Sequence, residues 1–483
     1  MHFPRIFPLG SCIFLDCTVI VAYKRCEVFL RKENNFMKEN RLTEGSVLKT
    51  LLLFAVPFLI ANILQSLYGA VDLFVIGAYC GPESVAAVST GTQVTQIVTS
   101  LITGLTLGST ILIGNAAGQK KTGEVRVIIG TTLTVFAVIA LLLTVLMLLF
   151  LRPLLTTLRT PKESFSLTMQ YVTVCSLGNL FICGYNAISA ILRGYGDSRR
   201  PMYFIGIACL INVVLDVIFV RFCRLDVRGT ALATVLSQAL SMMIAIVYLK
   251  RKEFLFDFRL RSFRPVPSVI RRLARVGIPI SLQELMVRIS FLYLTAVMNN
   301  CGVYAASVVG IGAKYDVFAM LTATSMANAL AAITAQNMGA GLMQRARKSL
   351  WYGLSFALFV SCLFWLWAQL NPQSMIRVFS KDVHVIAAGV PYFRACSYDY
   401  ILVTIVFCLN GYLNGRQKTV WTMISCSGGA LLLRIPMVWF FGNHFPDDLG
   451  MLGRIAPTVS GIMACYTLLY VLYEGRKHPA SHA

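Results

Sequence analysis

Apolar runs of about 20 residues or more, enough to cross the hydrocarbon core of a bilayer as a helix, recur along this entire chain, and no soluble fold absorbs so many. About twelve are present, near residues 48–77, 83–115, 124–150, 164–192, 200–220, 229–249, 273–299, 303–335, 349–370, 384–413, 418–440 and 452–473. Each is too long for a barrel strand, and in lipid the backbone of a lone segment is satisfied only as a helix. With 57% hydrophobic and 13% charged residues, the expected fold is an all-α polytopic membrane protein. Twelve transmembrane helices should form two pseudo-symmetric six-helix lobes around a central cavity.

The lobes follow from an internal repeat at a step of roughly 220 residues. Ala55-Val56-Pro57 to Gly91 reads against Gly277-Ile278-Pro279 to Gly312, with Cys80-Gly81 matching Cys301-Gly302. GQKKTGEVR, Gly118 to Arg126, matches GAGLMQRAR, Gly339 to Arg347, with the closing Arg in register. Two like bundles facing one another enclose a cleft, the architecture of secondary transporters. The expected organisation is an N-terminal extension over 1–46, an N-lobe over 47–250, a linker over 251–271, a C-lobe over 272–473 and a tail over 474–483. Residues 1–36 carry a short apolar run near Cys12 to Tyr23, broken by Asp16 and without a small-residue cleavage site. Met37-Lys38-Glu39-Asn40-Arg41 opens a polar lead into the first span, so Met37 is the expected start; a short interfacial appendage is the other reading.

A net charge of +22 invites a nucleic-acid reading, but the basic residues occupy short loops between apolar runs. Lys and Arg number about 22 in the loops on the side of the C-terminus and about 9 on the other side, which places both ends in the cytoplasm. The densest cluster, Lys250-Arg251-Lys252 through Arg259, Arg261, Arg264, Arg271, Arg272 and Arg275, reads as a topology anchor against anionic headgroups. Fourteen cysteines show no CxxC pairing or zinc spacing. The five histidines lie at termini or segment ends, which argues against a metal-dependent membrane hydrolase. The stretch from Gly114 to Thr122 lacks the GxxxxGK[ST] spacing that cradles phosphates, so no ATP site, cofactor, nucleic acid or obligate protein partner is expected.

A charge at bilayer depth costs about 2.5 to 3.5 kcal/mol on insertion scales, so each one needs a partner or a purpose. Asp72 lies in the first span, within NILQSLYGAVDLFVIG, and Asp216 in the fifth, within INVVLDVIFV. Asn212 stands four residues before Asp216 and shares its helix face; Thr234 closes GTALAT in the sixth span. Two carboxylates, an amide oxygen and a hydroxyl form a hard oxygen set suited to Na⁺. The same pair of acids is also suited to sharing a proton, and purely structural hydrogen bonding between helices stays open.

The second half is built differently. Glu284 and Arg288 stand one turn apart in the seventh span, Lys314 and Asp316 in the eighth, Arg394 and Asp399 in the tenth, and Arg434 in the eleventh. Three acids against four bases suggest compensated ion pairs, Glu284 with Arg288 and Asp399 with Arg434 or Lys314, or else part of a substrate or coupling path. Pro57, Pro279 and Pro436 are candidate bending points.

Taken jointly, several of these residues resemble the multidrug and toxic compound extrusion (MATE) family over nearly all of Leu42 to Leu472. The carriers are Pro57, Gln65 and Asp72 with Gly77; LRGYGDSRRP, Leu192 to Pro201; Asn212 with Asp216 and GTALAT; AQNMGAG, Ala335 to Gly341; and RIP, Arg434 to Pro436. The resemblance implies two lobes that rock between outward and inward openings and export substrates against an inward Na⁺ or H⁺ gradient. It implies that Asp72, Asn212, Asp216 and Thr234 line an N-lobe cation site. Where some members carry a later glutamate in the seventh span, this chain has Val287-Arg288, which puts a C-lobe Na⁺ site of that kind in doubt, while Asp399 matches an acid that some members place in the tenth span.

The expected activity is cation-coupled multidrug antiport in the cytoplasmic membrane of a bacterium, exporting organic cations or amphipathic compounds. A flippase for lipid-linked sugars is the alternative, kept open by Arg288, Lys314, Arg394 and Arg434. An integral membrane enzyme is disfavoured, because the loops lack polar catalytic residues.

Overall fold

The computed structural model describes residues 42–477, apart from 159, 252–254, 301, 446 and 447. The expected start at Met37 and the residues beyond Lys477 lie outside the described residues. In the first half, α1 (Val47–Tyr79), α2 (Pro82–Gly118) and α3 (Thr122–Thr157) are followed by α4 (Lys162–Leu177), α5 (Asn179–Gly194), α6 (Arg199–Asp216) and α7 (Asp226–Arg251). The second half holds α8 (Pro267–Asn300), α9 (Val303–Gly339), α10 (Met343–Leu370), the short α11 (Pro372–Arg377), α12 (Val383–Cys396) and α13 (Tyr398–Gly415). It closes with α14 (Thr419–Gly428), α15 (Ile435–His444), the short α16 (Leu449–Gly453) and α17 (Ile455–Lys477).

These helices give twelve spans, as the apolar runs predict: eleven are long and apolar enough outright, and α4 with α5, bent by 48° at Gly178, makes the twelfth. Sequence punctuation sets the ends. Pro82 sits in the first turn of α2, where its missing N–H is no loss, and Gly302 turns the chain into α9 with a φ of 108° that favours glycine. Pro57 and Pro279 lie inside continuous helices. The irregularities fall elsewhere, in π turns at Val217–Phe222 after α6 and Gly429–Arg434 after α14. The linker docks on α3: Thr131 Oγ1 donates to the Arg264 carbonyl at 3.2 Å, and Arg272 pairs with Glu124 at 2.6 Å. Large apolar side chains such as Phe74, Leu149, Leu210 and Leu432 point outward, as lipid solvation requires.

The repeat is visible in the packing. Gly91 lies against the ring of Tyr171, and Gly312 against Tyr392; Gly194 sits on Thr110 and Ile113, and Gly415 on Ala331 and Thr334. Across the lobes the contact is reciprocal: Gly118 abuts the Gln336 carbonyl and Gly339 the Asn115 carbonyl, each at 2.1 Å from where a Cβ would stand. Lipid offers no hydrophobic force between helices, so small residues that let backbones approach carry the association.

All these cross-lobe contacts lie on the face that holds Leu42 and Lys477. There Gly104 meets Ser281 and Gly108 meets Gly277, Ser281 Oγ donates to the Leu101 carbonyl at 2.6 Å, and Gln336 Nε2 donates to the Gly194 carbonyl at 2.9 Å. These contacts run from the end of α2 beside Leu42 to its middle at Gly104 and join the lobes along that half of the seam.

Closure by backbone contact sets an expectation. Gly118→Val cannot keep the present approach to Gln336, so the closed face should loosen, whereas Gly123→Val, at a glycine with open space, should leave it intact. A cysteine placed at the buried Ala335, in a background with the other cysteines removed, should react several-fold faster with a water-soluble maleimide in Gly118→Val. Equal rates would show that the glycine contact does not hold the face shut.

Candidate functional site

Three helices bring the N-lobe polar residues together. Asp72 comes from the last third of α1, Asn212 and Asp216 lie one turn apart at the end of α6, and Thr234 lies in α7. Asp72 is 4% exposed, and Asn212 and Asp216 are 0% exposed, which shuts them off from bulk solvent. Thr234 Oγ1 donates to Asp72 Oδ2 at 3.2 Å, and Asn212 Nδ2 lies 3.5 Å from Thr234 Oγ1. Asp216 and Asn212 adjoin the Asp72 carboxyl. The π turn begins directly after Asp216, and such one-turn widenings recur at functional sites.

The count of donors and acceptors does not close. Asp72 Oδ1, Asn212 Oδ1 and both carboxylate oxygens of Asp216 have no hydrogen-bond partner among the described residues. No basic side chain acts on either acid. Buried acceptors without donors cost about 1–3 kcal/mol each, more when charged. This oxygen set fits a small hard cation or a shared proton.

Two residues at this site escape sequence reading. Tyr68 stands one turn before Asp72 on α1, and its hydroxyl is joined to Ser237 Oγ; the i, i+4 spacing from Asp72 is the signal that would have placed it. Tyr171, from α4, lies in the field of Asp72 and 3.5 Å from Thr92 Oγ1, and only the tertiary fold brings it there.

The C-lobe residues separate into two groups. Asp316 on α9, Asp399 in the first turn of α13, and Arg434 at the end of the second π turn converge, with Tyr400 and Ser460 beside them. Arg434 is 5% exposed; its Nη1 donates to Ser290 Oγ at 3.1 Å, and its guanidinium carbon lies 4.4 Å from the centre of the Phe291 ring. Arg434 Nε and Asp399 Oδ1 have no partner among the described residues. The expected direct pair of Asp399 with Arg434 is therefore replaced by compensation at longer range.

The rest disperse. Arg288 turns from Glu284 to Gln96 of the other lobe, with Nη1 3.4 Å from Gln96 Oε1, so the expected Glu284–Arg288 ion pair is not made among the described residues. The reason is position: Arg288 lies at the seam where an amide acceptor on α2 is in reach. Lys314 and Arg394 are exposed and stay outside the cluster. LRGYGDSRRP has a structural role: Asp197 accepts from the Arg199 and Arg200 backbone N–H groups at 3.0 and 3.2 Å and pairs with the Arg200 guanidinium.

Known proteins resemble this chain over most of its length. The MatE family model matches the chain twice, over residues 57–218 and 279–440. The probable multidrug resistance protein YoeA of Bacillus subtilis is 28% identical over 89% of this chain and 94% of its own length. The probable multidrug resistance protein YpnP of the same organism is 26% identical over 84% and 91%. A solved structure described as the outward-facing conformation of a multidrug resistance MATE family transporter superposes with a TM-score of 0.84 at 21% identity, covering 91% of this chain and 98% of that one.

The unmatched oxygens generate a stability prediction. Asp216→Asn supplies donors to Asp72 and removes one charge, relieving about 1–3 kcal/mol of unsatisfied polar burial. The ion-free variant should therefore melt higher than ion-free wild type, and added Na⁺ or acid should no longer raise the transition. Thermal unfolding followed by tryptophan fluorescence checks both, and a variant still stabilised by the ion would exclude Asp216 from the site.

Proposed function

The chain belongs to the MatE family of membrane transporters, and from that premise we propose that it is a cation-coupled multidrug exporter of a bacterial cytoplasmic membrane. The observation that carries this reading is the buried pair of carboxyls, Asp72 and Asp216, which meet between α1 and α6 beside Asn212 and Thr234 with no basic neighbour among the described residues. Asp72 and Asp216 supply charge, and the Asn212 amide and Thr234 hydroxyl supply neutral oxygens. Thr234 spends its proton on Asp72 and accepts from Asn212 Nδ2, which leaves one lone pair for the cation. Na⁺ or H⁺ is the coupling ion, and its part is to neutralise the pair so that α1 and α6 can pack together.

Coupling requires that the ion and the substrate prefer different conformations. Repulsion between Asp72 and Asp216 opposes their approach; a bound cation removes it. Because Asp72 lies within α1 and α1 also packs on α9 of the other lobe, a shift at the acids reaches the seam. Multidrug resistance in the names of the relatives and acids facing the lobe interior favour organic cations and amphipathic compounds as substrates, with lipid as the surrounding partner.

Proteoliposomes loaded with a fluorescent organic cation test the reading, with a Na⁺ gradient and a pH gradient imposed separately. One gradient should drive wild-type export, and Asp72→Asn should reduce export to the level of empty liposomes while reconstituting normally. If neither gradient moves any cation and lipid-linked sugars accumulate in cells lacking the protein, the flippase alternative replaces this one.

A further inference from the structure

The two polar centres occupy the same place in their lobes. Tyr171 and Cys175 flank the N-lobe acids, and their counterparts Tyr392 and Cys396 flank Asp316 and Asp399. The glycine contacts fix the correspondence at a step of 221: Gly91 on Tyr171 answers Gly312 on Tyr392, and Gly194 answers Gly415. The family matches cover 57–218 and 279–440, equal lengths at a step of 222, so the segment that carries Asn212 and Asp216 in the N-lobe is answered in the C-lobe by the segment that carries Arg434, within one residue of the place of Asn212.

Where one lobe offers oxygens to a cation, the other thus carries a guanidinium. Arg434 is held by Ser290 Oγ and the face of Phe291, both on α8, the counterpart of α1. The acids whose fields reach Arg434 are Asp399 and Asp316, and Glu284 on α8 acts on Cys426 beside it. A guanidinium keeps its charge at any accessible pH, so it compensates these acids permanently, whereas a bound ion comes and goes.

We propose that Arg434 is a tethered counter-ion that fills, in the C-lobe, the place the N-lobe keeps for an exchangeable cation, and so confines ion coupling to the Asp72–Asp216 cluster. This rests on the N-lobe reading above for the location of the exchangeable ion. The role is one of positioning: Arg434 holds the C-lobe acids compensated in both transport states and turns one of two symmetric sites into a fixed element.

The test is the number of cations bound per protein, measured on the purified full-length chain with radioactive sodium and, in parallel, by proton uptake. Wild type should bind one, and Asp72→Asn none. Arg434→Met in the Asp72→Asn background should restore one bound cation, which Asp399→Asn should then remove; Arg434→Lys should keep the wild-type number. If Arg434→Met adds neither Na⁺ nor a proton in either background, the proposal is overturned. If Asp72→Asn leaves the wild-type ion in place, the N-lobe reading fails, while the increment from Arg434→Met in the wild-type background still decides the counter-ion. Should Arg434→Met alone not fold, the double change Arg434→Met with Asp399→Asn removes the paired charges together: recovery of wild-type yield supports the proposal, and continued misfolding overturns it.

Discussion

A carboxylate inside a bilayer has no water to fall back on, and how each one is compensated determines what the surrounding helices can do. In the N-lobe, Asp72 and Asp216 face one another beside Asn212 and Thr234, with no basic side chain among the described residues to compensate them. In the C-lobe, Asp316 and Asp399 share a guanidinium built into the chain. One lobe is electrostatically incomplete and responsive; the other is self-contained. A π turn follows Asp216 and another ends at Arg434, so the helical ladder widens beside each centre.

The spans were legible because hydrophobicity at bilayer length is a one-dimensional signal. So was the N-lobe cluster: Asn212 and Asp216 share a face by spacing alone, and an acid inside an apolar run announces itself at Asp72. The partners in the C-lobe were not legible, because charge pairing depends on the rotation of several helices about their axes. Arg288 illustrates this. Its spacing from Glu284 suggested a pair within one helix, but it sits at the seam and takes an amide acceptor from the opposite lobe. Nor does hydrophobic patterning locate a π turn, so the position of Arg434 at the end of one emerges only from the structure.

Leucines and phenylalanines turned to lipid contribute little to holding helices together, and close backbone approach at glycine replaces them. The contacts at Gly104, Gly108, Gly118 and Gly339 lie on one face of the membrane domain, whereas the polar clusters lie deeper within each lobe. A rigid-body movement of the lobes can separate the first without disturbing the second, which lets the seam and the ion site respond to different ligands while sharing α1.

The reciprocal contact of Gly118 with Gln336 and of Gly339 with Asn115 has the geometry of an isologous interface: each half presents the same patch and receives the same patch. The seam is that of a twofold dimer whose protomers have been joined in one chain. A homodimer with such an interface would load its two ion sites alike and open with no preferred partner. Fusion frees the halves to diverge while the shared surface stays matched, and here the divergence lies in charge. The seam keeps the symmetry of the repeat, and the charges within the lobes break it.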